Sequence, residues 1–172
     1  MNGYLLDANV LIQAKNLHYG LDFCPAFWDW LVHSNQAGRV FSIDKVANEI
    51  GAGNDELAEW ARNDGSGLFL PTDASIAESL PEVSKWAMSQ QYEATAISTF
   101  FLSADYYLIE HALANRRILV THEVPANSPK RIKIPNACLG LKIEFMMPYE
   151  MLRKERARFV LGPGNGQARL IM

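Results

Sequence analysis

Short apolar runs, each followed within a few residues by an amphipathic stretch, recur from the start of this chain to about position 158. Short runs bounded by turn residues read as buried strands, and the stretches between them read as helices that cover those strands. Alternation of this kind builds a mostly parallel sheet with helices on its faces. The runs lie at residues 3–6, 39–42, 68–70, 118–120 and 131–134, so a three-layer α/β/α sandwich around about five strands is expected. Helices are expected to start near Asn9 and to span 25–33, 44–50 (stopped by Gly51) and 55–63. Pro71-Thr72-Asp73 is expected to open another, followed by a long one over 94–115 broken near Ser103 and a last one over 148–158.

The 172 residues fit one domain over 1–160, with a Gly/Pro-rich flexible tail over 161–172. A hydrophobic content of 49% is enough for a packed core. No run reaches the roughly 18 apolar residues of a membrane helix. Asp7 interrupts the early apolar stretch and no basic segment precedes it, so no signal peptide is expected and the predicted location is cytoplasmic. Cys24 and Cys138 stand alone among apolar residues, which predicts buried free thiols rather than a disulfide framework or zinc cluster. Residues 1–114 hold 5 Lys/Arg against 15 Asp/Glu, while residues 115–172 hold 11 against 4. An acidic part could concentrate cations and a basic part could meet phosphates; a mixed solvated surface is the plainer reading.

Ligands of open α/β sheets bind at the carboxyl ends of the strands. Asp7 follows the first run, Glu123 follows the fourth, and Glu49 lies on the helix after the second. Asp105 shares a helical face with Phe101, Leu108, Ile109 and Ala112, so its carboxylate faces the core, where an unpaired charge is costly and a cation would relieve it. The competing account has Ser103 capping the helix and Asp105 in a favourable first turn. Asp7 alone could be a helix cap, Glu49 a half-buried acid paired with a base, and Glu123 a loop acid. Their coincidence at one sheet edge points to a site for Mg²⁺ or Mn²⁺, hard ions that prefer oxygen ligands. Asn9 and Thr121 stand beside these acids as neutral groups able to orient them or a bound water, or to serve as local caps.

The stretch Tyr4-Leu5-Leu6-Asp7-Ala8-Asn9-Val10-Leu11-Ile12 resembles the opening motif of PIN domains. Ser103-Ala104-Asp105-Tyr106-Tyr107-Leu108-Ile109 is similar to their mid-chain Asp on a helix, and Leu119-Val120-Thr121-His122-Glu123 to their late strand, Thr and acid. Glu49 fits the remaining acidic position. Phe27-Trp28-Asp29-Trp30, Thr99-Phe100-Phe101-Leu102 and Lys133-Ile134-Pro135-Asn136-Ala137-Cys138 look like a PIN-like subgroup related to VapC-type toxins. The resemblance covers about residues 3–160. It implies a PIN-like α/β/α fold and a Mg²⁺- or Mn²⁺-dependent ribonuclease with Asp7, Glu49, Asp105 and Glu123 as its metal-binding and catalytic acids. It also implies toxin function with a cognate antitoxin, and a homodimer. Two positions depart from the commoner pattern: Glu123 stands where many relatives place Asp, and Asn136 is neutral where a further acid would strengthen a second metal site.

Arg116, Arg117, Lys130, Arg131 and Lys133 flank the fourth and fifth predicted strands and are candidates for RNA phosphate contacts, against a plain solvated face. His18, His33, His111 and His122 have no zinc-site spacing, and His122 is expected at the surface. Trp28, Trp30, Trp60 and Trp86 read as core or interface residues. An aspartyl-nucleophile phosphohydrolase would want a second Asp two residues after the first, where this chain has Asn9; a dinucleotide-binding domain would want a Gly-rich turn after the first strand. The alternative that remains is a catalytically inactive PIN-like module that binds RNA or protein.

Overall fold

The computed structural model describes residues 3–162 and 168–170. Five strands form one sheet: β1 (Tyr4–Leu6), β2 (Val40–Ile43), β3 (Phe69–Leu70), β4 (Ile118–Val120) and β5 (Phe145–Met146). Their order is β3-β2-β1-β4-β5 and every pairing is parallel. Sheets of this kind are buried on both faces, and Leu5, Leu6, Val40, Ile43, Leu119 and Val120 are accordingly inaccessible or nearly so. Each such side chain contributes roughly 1.5–3 kcal/mol of burial. The strand order reverses between β1 and β4, which leaves a crevice beyond their carboxyl ends.

Helices flank the sheet: α1 (Ala8–Gln13), which runs into a wider π turn (Ala14–His18), α2 (Pro25–Gln36), α3 (Asp44–Gly51), α4 (Glu56–Arg62), α5 (Leu80–Ser89), α6 (Ala94–Leu102), α7 (Ala104–Asn115), α8 (Ile134–Leu141) and α9 (Pro148–Lys154). The three-layer α/β/α architecture expected from the alternation is the one observed. The long helical segment does break at Ser103, which has extended backbone between α6 and α7. Trp28, Trp30 and Trp60 are buried, with the Trp28 indole N–H donating to the Tyr19 carbonyl at 2.7 Å. Cys24 and Cys138 are buried free thiols. At Gly140, α8 comes so close to α5 that the indole of Trp86 lies over the glycine, where a side chain would stand.

Four expectations need correction. Residues 131–134 are not a strand. Residues 131–133 are a loop that buries Ile132, and α8 begins at Ile134, with Pro135, which cannot donate to a ladder, in its first turn. The fifth strand is β5, further along the chain. Pro71-Thr72-Asp73 does not open a helix: Thr72 is tied to Asp44 through its N–H (2.9 Å) and hydroxyl (2.6 Å), and Asp73 turns back onto Ser75. The last helix stops at Lys154, not 158, because Arg156 takes φ +54° and Glu155 is drawn to the Tyr4 hydroxyl at 2.9 Å. Asn9 lies inside α1, whose N-cap position is Asp7. Of the expected C-terminal tail, residues 163–167, 171 and 172 lie outside the described residues, whereas β7 (Ala168–Leu170) pairs antiparallel with β6 (Phe159–Leu161). No helix among the described residues is long and apolar enough to cross a membrane.

Glu110 on α7 is fully buried, and among the described residues neither carboxylate oxygen has a hydrogen-bond partner. Burial raises its pKa to about 7. A carboxyl raised in this way favours the fold while it is neutral, and that contribution is lost as pH climbs from the unfolded value through about 7. Glu110→Gln is therefore expected to raise the melting temperature at about pH 8 and to lose most of that advantage near pH 5. Thermal unfolding followed by circular dichroism at both pH values checks this.

Candidate metal centre

Asp7 ends β1 and enters α1, with its own N–H bonded to the Val120 carbonyl on β4 at 3.0 Å. Its carboxylate does not cap α1. It instead accepts the Thr121 hydroxyl proton at 2.8 Å across the β1–β4 gap. The same hydroxyl oxygen accepts from the Asn9 side-chain amide at 3.2 Å and from the Glu123 N–H at 3.1 Å. Thr121 thus uses its one proton and both lone pairs. The Asn9 side-chain carbonyl in turn accepts the His122 N–H at 3.1 Å. Asn9 and Thr121 fix the orientation of Asp7 from beneath, and both the helix-cap reading of Asp7 and a purely local role for Thr121 are set aside.

Asp7, Glu49, Asp105 and Glu123 line one open cleft of about 640 Å³ at the carboxyl end of the sheet. Asp7 is 5% exposed and Thr121 1%. Asp105 occupies the first turn of α7, but Ser103 gives it no conventional cap: the Ser103 hydroxyl donates to the Phe100 carbonyl at 2.7 Å. Glu49 stands exposed on α3. Burial, followed by the nearby Asp105 charge, raises the Asp7 pKa to about 7; Glu123 and Glu49 add to the effect and the Thr121 hydrogen bond opposes it. Burial, Glu123 and Glu49 raise Asp105 to about 6, with Arg131 opposing. A first-turn position would favour the anion, so crowding and burial outweigh the helix here.

Glu123 has an unexpected partner. Its Oε1 accepts from the Arg131 guanidinium at 2.8 Å, and its Oε2 from the Ile134 N–H at the start of α8 at 2.9 Å. Among the described residues, no three acids, histidines or cysteines are drawn into a closed ligand cluster. Even so, the donor set fits a hard cation: only oxygen donors, two of them on carboxyls whose charge is strained, beside a cleft roomy enough for water and a phosphate. Asp7 and Asp105 would be its firmest ligands, with Glu49 and Glu123 reaching in from α3 and the loop after β4.

The basic candidates separate. Arg131 lines the cleft, Lys130 lines a groove beside it, and Lys133 sits half-buried at the N-cap of α8. Arg116 and Arg117 precede β4 and so lie at the opposite end of the sheet, where the Arg117 guanidinium stacks 4.1 Å over the Phe41 ring. The structure does not bring these two to the carboxylates. Lys45 was not foreseen: it lines the cleft with its ammonium 5.0 Å from the Tyr107 ring centre. Its position four residues before Glu49, on the same helical face, was the available signal. His122 is half-buried against His18 and Tyr149, with ring centres 5.6 and 5.7 Å away.

A family model described as a domain of unknown function, DUF4411, matches residues 4–159. Comparison with curated protein sequences finds no match. Among solved structures, the chain is similar to VapBC2 from Rickettsia felis bound to a DNA fragment from its promoter, at 13% identity and a TM-score of 0.53, over 84% of this chain and 97% of that one. It is similar to FitAcB from Neisseria gonorrhoeae at 17% identity and a TM-score of 0.53, over 85% and 98%. FitAB bound to an IR36 DNA fragment gives 17% and 0.53, over 85% and 95%. At these identities the likeness is one of fold, and the PIN-like fold read from the motifs is the fold observed.

Because the Asp7 and Asp105 carboxyls are raised, the cation-free protein loses stability as pH rises through about 6 to 7. Asp7→Asn is expected to melt at least about 3 °C above the wild type near pH 8 in EDTA, the shift that one kcal/mol gives at this size. Mn²⁺ is expected to raise the wild-type melting temperature, more near pH 8 than near pH 5, and to raise that of the variant less. Differential scanning fluorimetry over that pH range measures both effects.

Proposed function

The chain belongs to the DUF4411 family, and on that footing we propose that it is a Mg²⁺- or Mn²⁺-dependent endoribonuclease of PIN type acting in the cytoplasm. The observation that carries this reading is Asp7: a buried carboxylate held by the Thr121 hydroxyl, its pKa raised to about 7 beside Asp105 in an open cleft. Placing such a group there is costly unless a cation or substrate uses it. Asp7 and Asp105 would hold the ion, with Glu49 and Glu123 as further oxygen donors from the same cleft. An ion held there would supply a water of lowered pKa and a positive charge to offset that of the phosphate. Thr121 and Asn9 keep Asp7 aimed at that point. Lys45 offers a cationic group for the non-bridging oxygens of that phosphate.

The toxin reading draws on the motif resemblance and on the similarity to the VapBC2 and FitAB complexes. A cognate antitoxin and a homodimer belong to the same proposal. The alternative, an inactive PIN-like binding module, draws on one observation: Arg131 and the Ile134 N–H already occupy the Glu123 carboxylate.

Asp7→Asn and Asp105→Asn are each expected to reduce Mn²⁺-dependent cleavage of single-stranded RNA by at least about a hundredfold, while circular dichroism remains that of the wild type. Cleavage retained in both purified variants refutes the nuclease assignment. In a bacterial host, induction of the wild type is expected to arrest growth and Asp105→Asn is not; equal growth favours the binding module.

A further inference from the structure

Two grooves meet at Arg131. On one side lies the carboxylate cleft. On the other, a groove of about 390 Å³ runs between α6 and residues 130–132. Ser103, Asp105 and Arg131 line both, so the two are continuous and Arg131 stands at the junction. Their chemistry differs. The second groove offers the Thr95 and Thr99 hydroxyls and the Lys130 ammonium above a floor of Phe100 and Ile132, and Asp105 is its one acid. Thr95 and Thr99 are one turn apart on α6 and so share a face. Hydroxyls and cations above an apolar floor match a phosphodiester with its attached nucleoside.

The Arg131–Glu123 pair is uneven. The Arg131 side chain is 64% exposed, whereas that of Glu123 is 11% exposed and keeps a second bond to the Ile134 N–H. An ion pair with one end in water contributes little and exchanges readily. Arg131 is therefore the partner free to move, and both grooves lie within its present reach.

We propose that the second groove binds the RNA phosphodiester next to the one held in the carboxylate cleft, and that Arg131 couples the two sites as a positioning residue. Arg131 neutralises Glu123 while the Ile134 N–H holds it in place; when a cation takes the place of Arg131 on that carboxylate, Arg131 swings onto the phosphate in the second groove. This rests on the nuclease reading above and adds to it a substrate subsite and an order of events. Arg131 competes with the cation for one acid and afterwards supplies a phosphate contact, so its removal should act with opposite sign on the two ligands.

The test uses Mn²⁺ titrated calorimetrically and, with Mn²⁺ present, a short fluorescein-labelled phosphorothioate oligouridylate followed by anisotropy. Arg131→Ala is expected to tighten Mn²⁺ binding on the order of tenfold, through loss of a competing positive charge. It is also expected to weaken oligonucleotide binding, with the salt slope reduced by about 0.7, the share of one single-strand phosphate. Arg131→Lys should restore much of the oligonucleotide affinity. Thr99→Glu, at an exposed position, should weaken the oligonucleotide while Mn²⁺ still binds. If Arg131→Ala weakens Mn²⁺ binding or leaves it unchanged, Arg131 only props Glu123 and the coupling is overturned while the nuclease reading stands. Unaltered oligonucleotide binding in Thr99→Glu overturns the subsite. A wild type that binds no Mn²⁺ overturns both the coupling and the nuclease reading.

Discussion

One hydroxyl group joins the ends of the two central strands. Thr121 donates to Asp7, accepts from Asn9 and accepts from the Glu123 N–H, so the loop after β4 and the start of α1 are knotted at a single oxygen. The knot lies where the sheet changes direction, the one place where two neighbouring parallel strands send their chains to opposite sides and leave room between them. The rest of the cleft is built outward from this point. Without the knot, Asp7 would be an acid following a strand, free to cap α1 as such acids commonly do.

The arrangement has a cost. Four carboxylates share a cleft, Asp7 and Asp105 resist ionisation, and the protein relieves part of the strain with its own cation, Arg131. A stable protein with no use for the cleft would gain by losing these acids, since a buried charge is among the more destabilising features a fold can carry. Glu110 shows that the chain tolerates a second buried carboxyl away from the cleft, without a hydrogen-bond partner among the described residues.

The parts of this structure legible in the sequence are those governed by local pattern. The inward-facing Asp105 follows from helical period with Leu108, Ile109 and Ala112, although Phe101, counted on the same face, lies on α6 across the break at Ser103, and the sheet-edge positions of Asp7 and Glu123 follow from their places after apolar runs. Failures came where one pattern serves two structures. Residues 131–134 alternate as a strand would, yet a loop that buries Ile132 and leads into a helix starting at the buried Ile134 alternates equally well. Arg116 and Arg117 stand near β4 in sequence, but nearness does not say at which end of a strand a residue lies, and theirs is the far end. The Arg131–Glu123 bridge depended on where the loop after β4 folds back, which no period encodes.

Gly140 leaves no space for a side chain, since the Trp86 indole already fills it. Trp86 packs edge-on against Tyr92, just before α6. Alanine at 140 would have to evict the indole, and the disturbance would pass by way of Tyr92 toward the helix bearing Thr95 and Thr99. A single methyl group at Gly140 would thus be felt at the start of α6, relayed by two aromatic rings.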